Sequence, residues 1–540
     1  MSDGLPQPNT GEDSGRSGRQ TLAVNLWTLL ERAASSHPRR IAAVDGALRL
    51  SYAELRRRAA GVAAGLRQAG VGRGDRVAIL ELNSVAYLEA YFATAALGAI
   101  LVPLGTRLAA PELARILRHA DARVLLARGE FADLVRRLEE HGTPVELLAW
   151  TDSEGLSRSR RTLSLEACRG LDGRDFRCEP VAPEHVAQIY YTSGTTGVPK
   201  GVMLTHGNVA WHALGACAEL SLDDRDVWFH VAPMFHLADA WACFAITWVA
   251  GTHVFTPRFE ESRVLELLAA EGITLTNLVP TMLQRLIAVP DAARRRYPSL
   301  RRILSGGAPI APAVVRRIVD TFHCEYVQTY GMTETSPFLT LSLLKEHLRR
   351  EPPEVQFAYR AKTGRPFVTV ELAVVGDDGR PVAADGATVG EVRARGPTVT
   401  PGYWNDPEAT ARAFVDGWLC TGDLATVDAE GYLQIVDRKK DMIISGGEKV
   451  YSTDVESVLY AHPAVLECAV FGVPDAQWGE RVEAAVVLRQ GADVDVDALL
   501  LHARQQLAAY KVPRRIRLLD ELPKTGSGKI LKGPLRNAPC

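Results

Sequence analysis

Along most of the chain, short β-branched apolar runs alternate with longer stretches whose apolar positions recur at helical spacing. RVAIL (76–80), ARVLLA (122–127), THVFTP (252–257) and RRILSGG (301–307) read as buried strands. YAELRRRAAGVAAGLRQAG (52–70) and APAVVRRIVDTF (311–322) read as helices. This alternation predicts α/β layering with mostly parallel, helix-covered strands. Two long uncharged runs, 90–106 and 240–257, approach membrane-spanning length, yet each carries Gly and Pro towards its end and polar residues within. Each is predicted to be a buried helix running into a buried strand, so no transmembrane segment is expected.

From about residue 369 the pattern changes to short alternating strands separated by Gly turns, which predicts a compact β subdomain over 369–436. After Asp437-Arg438-Lys439-Lys440 a smaller α+β unit begins. The expected organisation is a disordered tail over 1–20 and a large N-terminal domain of layered α/β subdomains over 21–436 that includes the β subdomain. A hinge at 437–440 and a small α+β C-terminal domain over 441–540 follow.

Composition narrows the function classes. With 540 residues and a formal net charge of -2, the chain offers no electrostatic case for nucleic acid. The tail lacks the apolar stretch of a secretory signal, and the eight cysteines show no CxxC spacing, so a cytoplasmic enzyme with reduced thiols is expected. A homodimer stays open.

The densest chemistry lies in YYTSGTTGVPKGVMLTH (190–206), where hydroxyls, glycines and a lysine sit together between a strand and an expected helix. Such a loop suits the oxygens of a polyphosphate. It is not a Walker loop: Pro199 precedes Lys200 and has no N–H to offer, and Gly201 follows where a Ser or Thr would bind magnesium.

YTSGTTGVPKG resembles the phosphate-loop signature of the adenylate-forming superfamily, the acyl-CoA synthetases, luciferases and peptide-synthetase adenylation domains. Further segments resemble that family in its own order over roughly 25–535: SGGAPI (305–310), YGMTET (330–335), WLCTGD (418–423), DRKKDMIISGGEKVY (437–451) and PKTGSGKILK (523–532). The resemblance implies a mobile small domain and ATP, Mg²⁺ and CoA as cofactors. Thr192, Ser193, Gly194, Thr195, Thr196, Gly197 and Lys200 would hold the β- and γ-phosphates. Gly306, Gly307 and Ala308 would line the adenine, with Tyr330 stacked on it beside Gly331. Thr333 would touch the α-phosphate and Glu334 would hold Mg²⁺. Asp423 would bind the ribose hydroxyls, with Arg438 a further ribose or phosphate contact. Lys529 would be the catalytic lysine of the first half-reaction. Lys440 would be the hinge about which the small domain turns, bringing Ser445, Gly446 and Gly447 to a pantetheine channel.

The chemistry follows from the substrate. A carboxylate repels nucleophiles and has oxide as its leaving group; attack on the α-phosphate of ATP turns it into an acyl-AMP, and a thiol then displaces AMP. PMFHLADAWACF (233–244) resembles the family's acyl-binding segment. Amino-acid-activating relatives carry Phe-Asp where this chain has Phe235-His236, although Asp239 lies close by. His236 is expected beside the acyl carboxylate, with Gly306 and Gly331, and Trp241 as a gate to the acyl tunnel. The whole resembles medium- and long-chain fatty acyl-CoA synthetases acting on a hydrophobic carboxylic acid, whether linear, aryl or polycyclic. The acceptor thiol is expected from CoA, or from a separate carrier protein.

Overall fold

The computed structural model describes residues 25–152, 161–173, 176–192, 199–492, 494–524 and 530–537. Two large sheets build the N-terminal domain. One has seven strands in the spatial order Arg161–Ser164, Leu147–Trp150, Val124–Ala127, Arg76–Leu80, Ile100–Pro103, Val186–Thr192 and Lys200–Thr205. All its pairs are parallel except the last. The other has nine strands; its central six, Glu325–Gly331, Arg302–Gly306, Leu275–Asn277, Val227–His230, Thr252–Phe255 and Ile41–Asp45, are parallel, and antiparallel strands flank them.

The helices between these sheets form the largest core. All but one residue of Val85–Ala96 is buried, and in Leu237–Trp248 only Ala238 and Trp248 are not. A helix apolar on every side is what a layer enclosed by two sheets requires. The two long uncharged runs are these helices with the strands Ile100–Pro103 and Thr252–Phe255 that follow them, as their internal Gly and Pro predict. No helix among the described residues is long and apolar enough to cross a membrane.

The expected helix directly after the phosphate loop is a misreading. The strand Lys200–Thr205 comes first, antiparallel to Val186–Thr192, and only then the helix His206–Leu220. Val202 and Leu204 fill the sheet's buried face, and Thr205 caps the helix by accepting from Asn208 N at 3.0 Å. The phosphate loop therefore closes a hairpin.

A five-stranded antiparallel sheet follows, with Glu371–Val375, Gly390–Arg395, Trp418–Val427 and Leu433–Arg438 as its main strands. The small C-terminal domain pairs Val465–Asp475 with Gly479–Leu488 in a long hairpin and packs Ser452–Ala461 and Val496–Gln506 around it.

Candidate active site

Parallel strands point their carboxyl ends at one edge, the usual ligand position in an open α/β sheet. Gly306 and Gly331 end neighbouring strands there, and His236 follows the strand Val227–His230. A Cβ on Gly306 would lie 2.4 Å from Thr329 Oγ1, and one on Gly331 would lie 1.8 Å from the Pro337 carbonyl oxygen, so no side chain fits at either place. Gly307 has φ +87°, and the Ala308 carbonyl accepts from Gln328 Nε2 at 2.9 Å.

Thr192 and Lys200 face each other in register at the mouth of the hairpin. Ser193, Gly194, Thr195, Thr196 and Gly197, which join them, lie outside the described residues. The Lys200 ammonium sits 4.8 Å from the ring centroid of Tyr403, and the Tyr403 hydroxyl donates to Glu334 Oε1 at 3.0 Å. Glu334 is carried by the short 3₁₀ turn Thr333–Thr335 and is only 7 % exposed. Burial raises its carboxyl above the usual range, against the pull of Tyr403, Arg438 and Lys200. A single buried carboxylate with one side-chain donor is a donor set suited to Mg²⁺, which takes one or two protein carboxylates and completes its shell with phosphate oxygens and water.

A second grouping lies alongside. The Tyr330 hydroxyl donates to Asp423 Oδ2 at 2.8 Å, and Arg438 Nε meets Asp423 Oδ1 at 3.0 Å. Asp423 and Arg438 are register partners in the β subdomain, so adjacent strands fix this pair. Tyr330 ends the strand Glu325–Gly331 and Glu334 sits on the turn Thr333–Thr335 just after it, so the two groupings are neighbours along the chain.

Tyr91 ties the phosphate-loop strand to the acyl-side segment: its hydroxyl meets that of Tyr190 at 2.8 Å and donates to the Met234 carbonyl at 2.9 Å. His236 precedes the helix Leu237–Trp248, its Nε2 buried without a hydrogen-bond partner. Burial, helped by Arg107, lowers it to about 4, so it is neutral near pH 7. Ala238, on the first helical turn, is exposed, while Trp241 is buried against Trp228, His212 and Phe338. Asp239 is 0 % exposed; its carboxylate faces His230 Nδ1 at 2.6 Å and accepts from Trp228 Nε1 at 3.3 Å. Locked into the sheet in this way, Asp239 is not free to pair with a substrate ammonium.

Lys440 is exposed. Asp437 before it accepts from Ser452 N at 2.6 Å, and Asp441 after it pairs with Arg536 at 3.0 Å. Ser445, Gly446 and Gly447 make the turn of the hairpin Ile443–Val450, both glycines at positive φ. Lys529 lies outside the described residues.

Three histidines with buried rings, one of them His236 at the site, give a stability prediction. Burial lowers His206 to about 4, His212 to about 3 and His236 to about 4, against an ordinary 6.5. Between those values and 6.5 the unfolded chain binds protons that the native chain refuses, so stability falls as pH drops through that window. Melting temperature should decline from pH 6.5 to 4, and His212→Gln should flatten that decline. A pH-independent Tm over this range would contradict the burial of these rings.

Comparison with known proteins places the whole arrangement. The AMP-binding enzyme family matches residues 30–404, and its C-terminal domain matches residues 454–529. The chain belongs to the AMP-binding enzyme family. Among its relatives is a feruloyl-CoA synthase of Amycolatopsis sp, 41% identical over 94% of this chain and 97% of that protein. A long-chain-fatty-acid–CoA ligase of Thermus thermophilus is 38% identical over 95% of both. The crystal structure of ATP-bound MatB from Rhodopseudomonas palustris superposes with a TM-score of 0.84 at 31% identity, covering 95% of this chain and 98% of that one. Sequence reasoning does not single out Tyr403; the adjacent aromatic Trp404 in a polar stretch is the one signal that marks it.

Proposed function

We propose that this chain joins a hydrophobic carboxylic acid to coenzyme A in two half-reactions, forming acyl-AMP and pyrophosphate from ATP and then exchanging AMP for the thiol. The observation that carries this reading is the pair of neighbouring groupings, Lys200–Tyr403–Glu334 and Tyr330–Asp423–Arg438. The first offers a cation and a metal-ready carboxylate to a polyphosphate; the second offers an aromatic face and a carboxylate to a nucleoside.

The proposed roles are those that the family resemblance implies. Thr192 and Lys200, with the loop 193–197, hold the phosphates that leave. Gly306, Gly307, Ala308 and Gly331 let backbone approach the adenine and the reacting carboxylate closely, with Tyr330 on the base and Asp423 and Arg438 on the ribose. Thr333 steadies the α-phosphate. Glu334 would hold Mg²⁺, which when bound lowers the repulsion between ATP and the carboxylate. Lys529 brings positive charge to the α-phosphate as the acid oxygen attacks; positioning and fixed charge supply most of the rate. Turning about Lys440 then presents the 445–447 turn to the thiol arm of CoA.

The acid is read from the Phe235–Phe244 segment. Neutral His236, exposed Ala238 and sequestered Asp239 favour an uncharged acyl body over an α-amino acid. The named relatives act on both aryl and long-chain acids, so both classes belong in the test. A cytoplasmic location agrees with the unpaired cysteines among the described residues.

Pyrophosphate release and AMP formation should be measured with aryl, fatty and amino acids, with and without CoA. Turnover with an aryl or fatty acid and sustained AMP formation only with CoA is expected. AMP formation that ignores CoA but responds to a carrier protein would replace the acceptor, and turnover with amino acids alone would overturn the acid class.

A further inference from the structure

We propose that Tyr403 is the positioning residue that couples the metal-binding carboxylate to the phosphate-loop lysine; this rests on the nucleotide site described above. Its two contacts face opposite partners. The hydroxyl donates to Glu334 Oε1 at 3.0 Å, and the ring face lies 4.8 Å from the Lys200 ammonium. One rigid side chain therefore fixes the distance between the carboxylate that would hold Mg²⁺ and the cation that meets the same phosphates.

The backbone around Tyr403 is built to hold that spacing. Trp404 N donates to the Gly201 carbonyl at 2.7 Å and Met203 N to the Gly402 carbonyl at 3.1 Å, which binds this segment to the Lys200–Thr205 strand. Thr400 N donates to the Glu334 carbonyl at 2.8 Å, and Thr400 Oγ1 donates to the Met203 carbonyl at 2.6 Å. The segment 400–404 thus stitches the phosphate-loop hairpin to the turn carrying Glu334, with Tyr403 at the seam. Gly402 is confined by its close approach to Thr410: at φ +142°, a Cβ there would lie 2.5 Å from Thr410 Cγ2.

A carboxylate that ligates a metal is oriented by the donor on its other lone pairs, and losing such a donor typically costs about 10–100-fold in metal affinity. Removing only the Tyr403 hydroxyl should therefore weaken Mg²⁺ and leave the metal-free nucleotide contacts intact. Removing the ring as well should also weaken metal-free ATP, by about 2–5-fold, because the ammonium loses its aromatic partner.

The test is calorimetric titration of ATP into the full chain, in EDTA and across a Mg²⁺ series, for wild type, Tyr403→Phe and Tyr403→Leu. Tyr403→Phe should match wild type in EDTA and need about 10–100-fold more Mg²⁺ for the same gain in ATP affinity. Tyr403→Leu should show that loss plus weaker binding in EDTA. In a Glu334→Gln background, Tyr403→Phe should add nothing to the Mg²⁺ response. A Tyr403→Phe response to Mg²⁺ equal to wild type would overturn the proposal, as would an equal loss in EDTA and in Mg²⁺. Failure of the wild type to bind ATP would instead strike the nucleotide site itself. Thermal melts accompany each variant; should Tyr403→Phe not fold, the Mg²⁺ response of Tyr403→Leu relative to its own EDTA baseline carries the same expected loss.

Discussion

Replacing Lys529 with alanine should slow acyl-AMP formation by about 10²–10³-fold while leaving thioester formation from supplied acyl-AMP close to wild type. In the first half-reaction an anionic carboxylate must approach an anionic α-phosphate, and charge builds on phosphorus as they join. An ammonium bridging both partners acts where that charge appears; the second half-reaction, in which a thiol attacks an uncharged carbonyl, has no such need. The ends of the Lys529 segment are held in the small domain: Lys524 bridges to Ile530, Leu531 N donates to the Pro523 carbonyl at 2.7 Å, and Lys524 pairs with Glu467 at 2.6 Å. On the proposed rotation about Lys440, a lysine carried by the small domain would be withdrawn after adenylation. Stopped-flow pyrophosphate release and thioester formation from synthetic acyl-AMP separate the two steps. Equal loss in both would show that one arrangement serves both reactions.

Glu334→Gln should produce an effect of similar size on adenylation without a loss of stability. The amide keeps the shape and still accepts from Tyr403, but it removes the charge that would hold Mg²⁺. Burial already disfavours the ionised Glu334 carboxyl, so a neutral side chain relieves a cost carried by the fold. The variant should melt at or above the wild-type temperature while adenylation falls by about 10²-fold or more. A large drop in Tm with proportionate loss of activity would mean that Glu334 is a structural residue.

The division between what could and could not be read in the chain has physical causes. Strands such as Arg76–Leu80 and helices such as Tyr52–Gln68 declare themselves because both faces, or one stripe, must be apolar to sit in a layered core. The gathering of hydroxyls, glycines and a lysine over 192–200 points to a polyphosphate from composition alone, but 193–197 lie outside the described residues. The loop's hairpin is not legible because Lys200–Thr205 is short and runs into a helix start without a Gly or Pro between them. Asp239 looked available because it lies three residues from His236; pairing with His230 and Trp228 depends on a strand that precedes it, and sequence distance carries no trace of that. Tyr403 escaped for the same reason: its partners, Lys200 and Glu334, are far away in the chain and meet it only when hairpin, turn and β subdomain converge.

The most direct test of the central claim follows the oxygen. If the acid attacks the α-phosphate and CoA then attacks the carbonyl, an oxygen of the carboxylate stays with AMP. Turnover of an ¹⁸O-carboxylate-labelled acid with Mg·ATP and CoA, read by mass spectrometry, should place one labelled oxygen in AMP and none in pyrophosphate. Label in inorganic phosphate, or unlabelled AMP alongside acyl-CoA, would contradict an acyl-adenylate path.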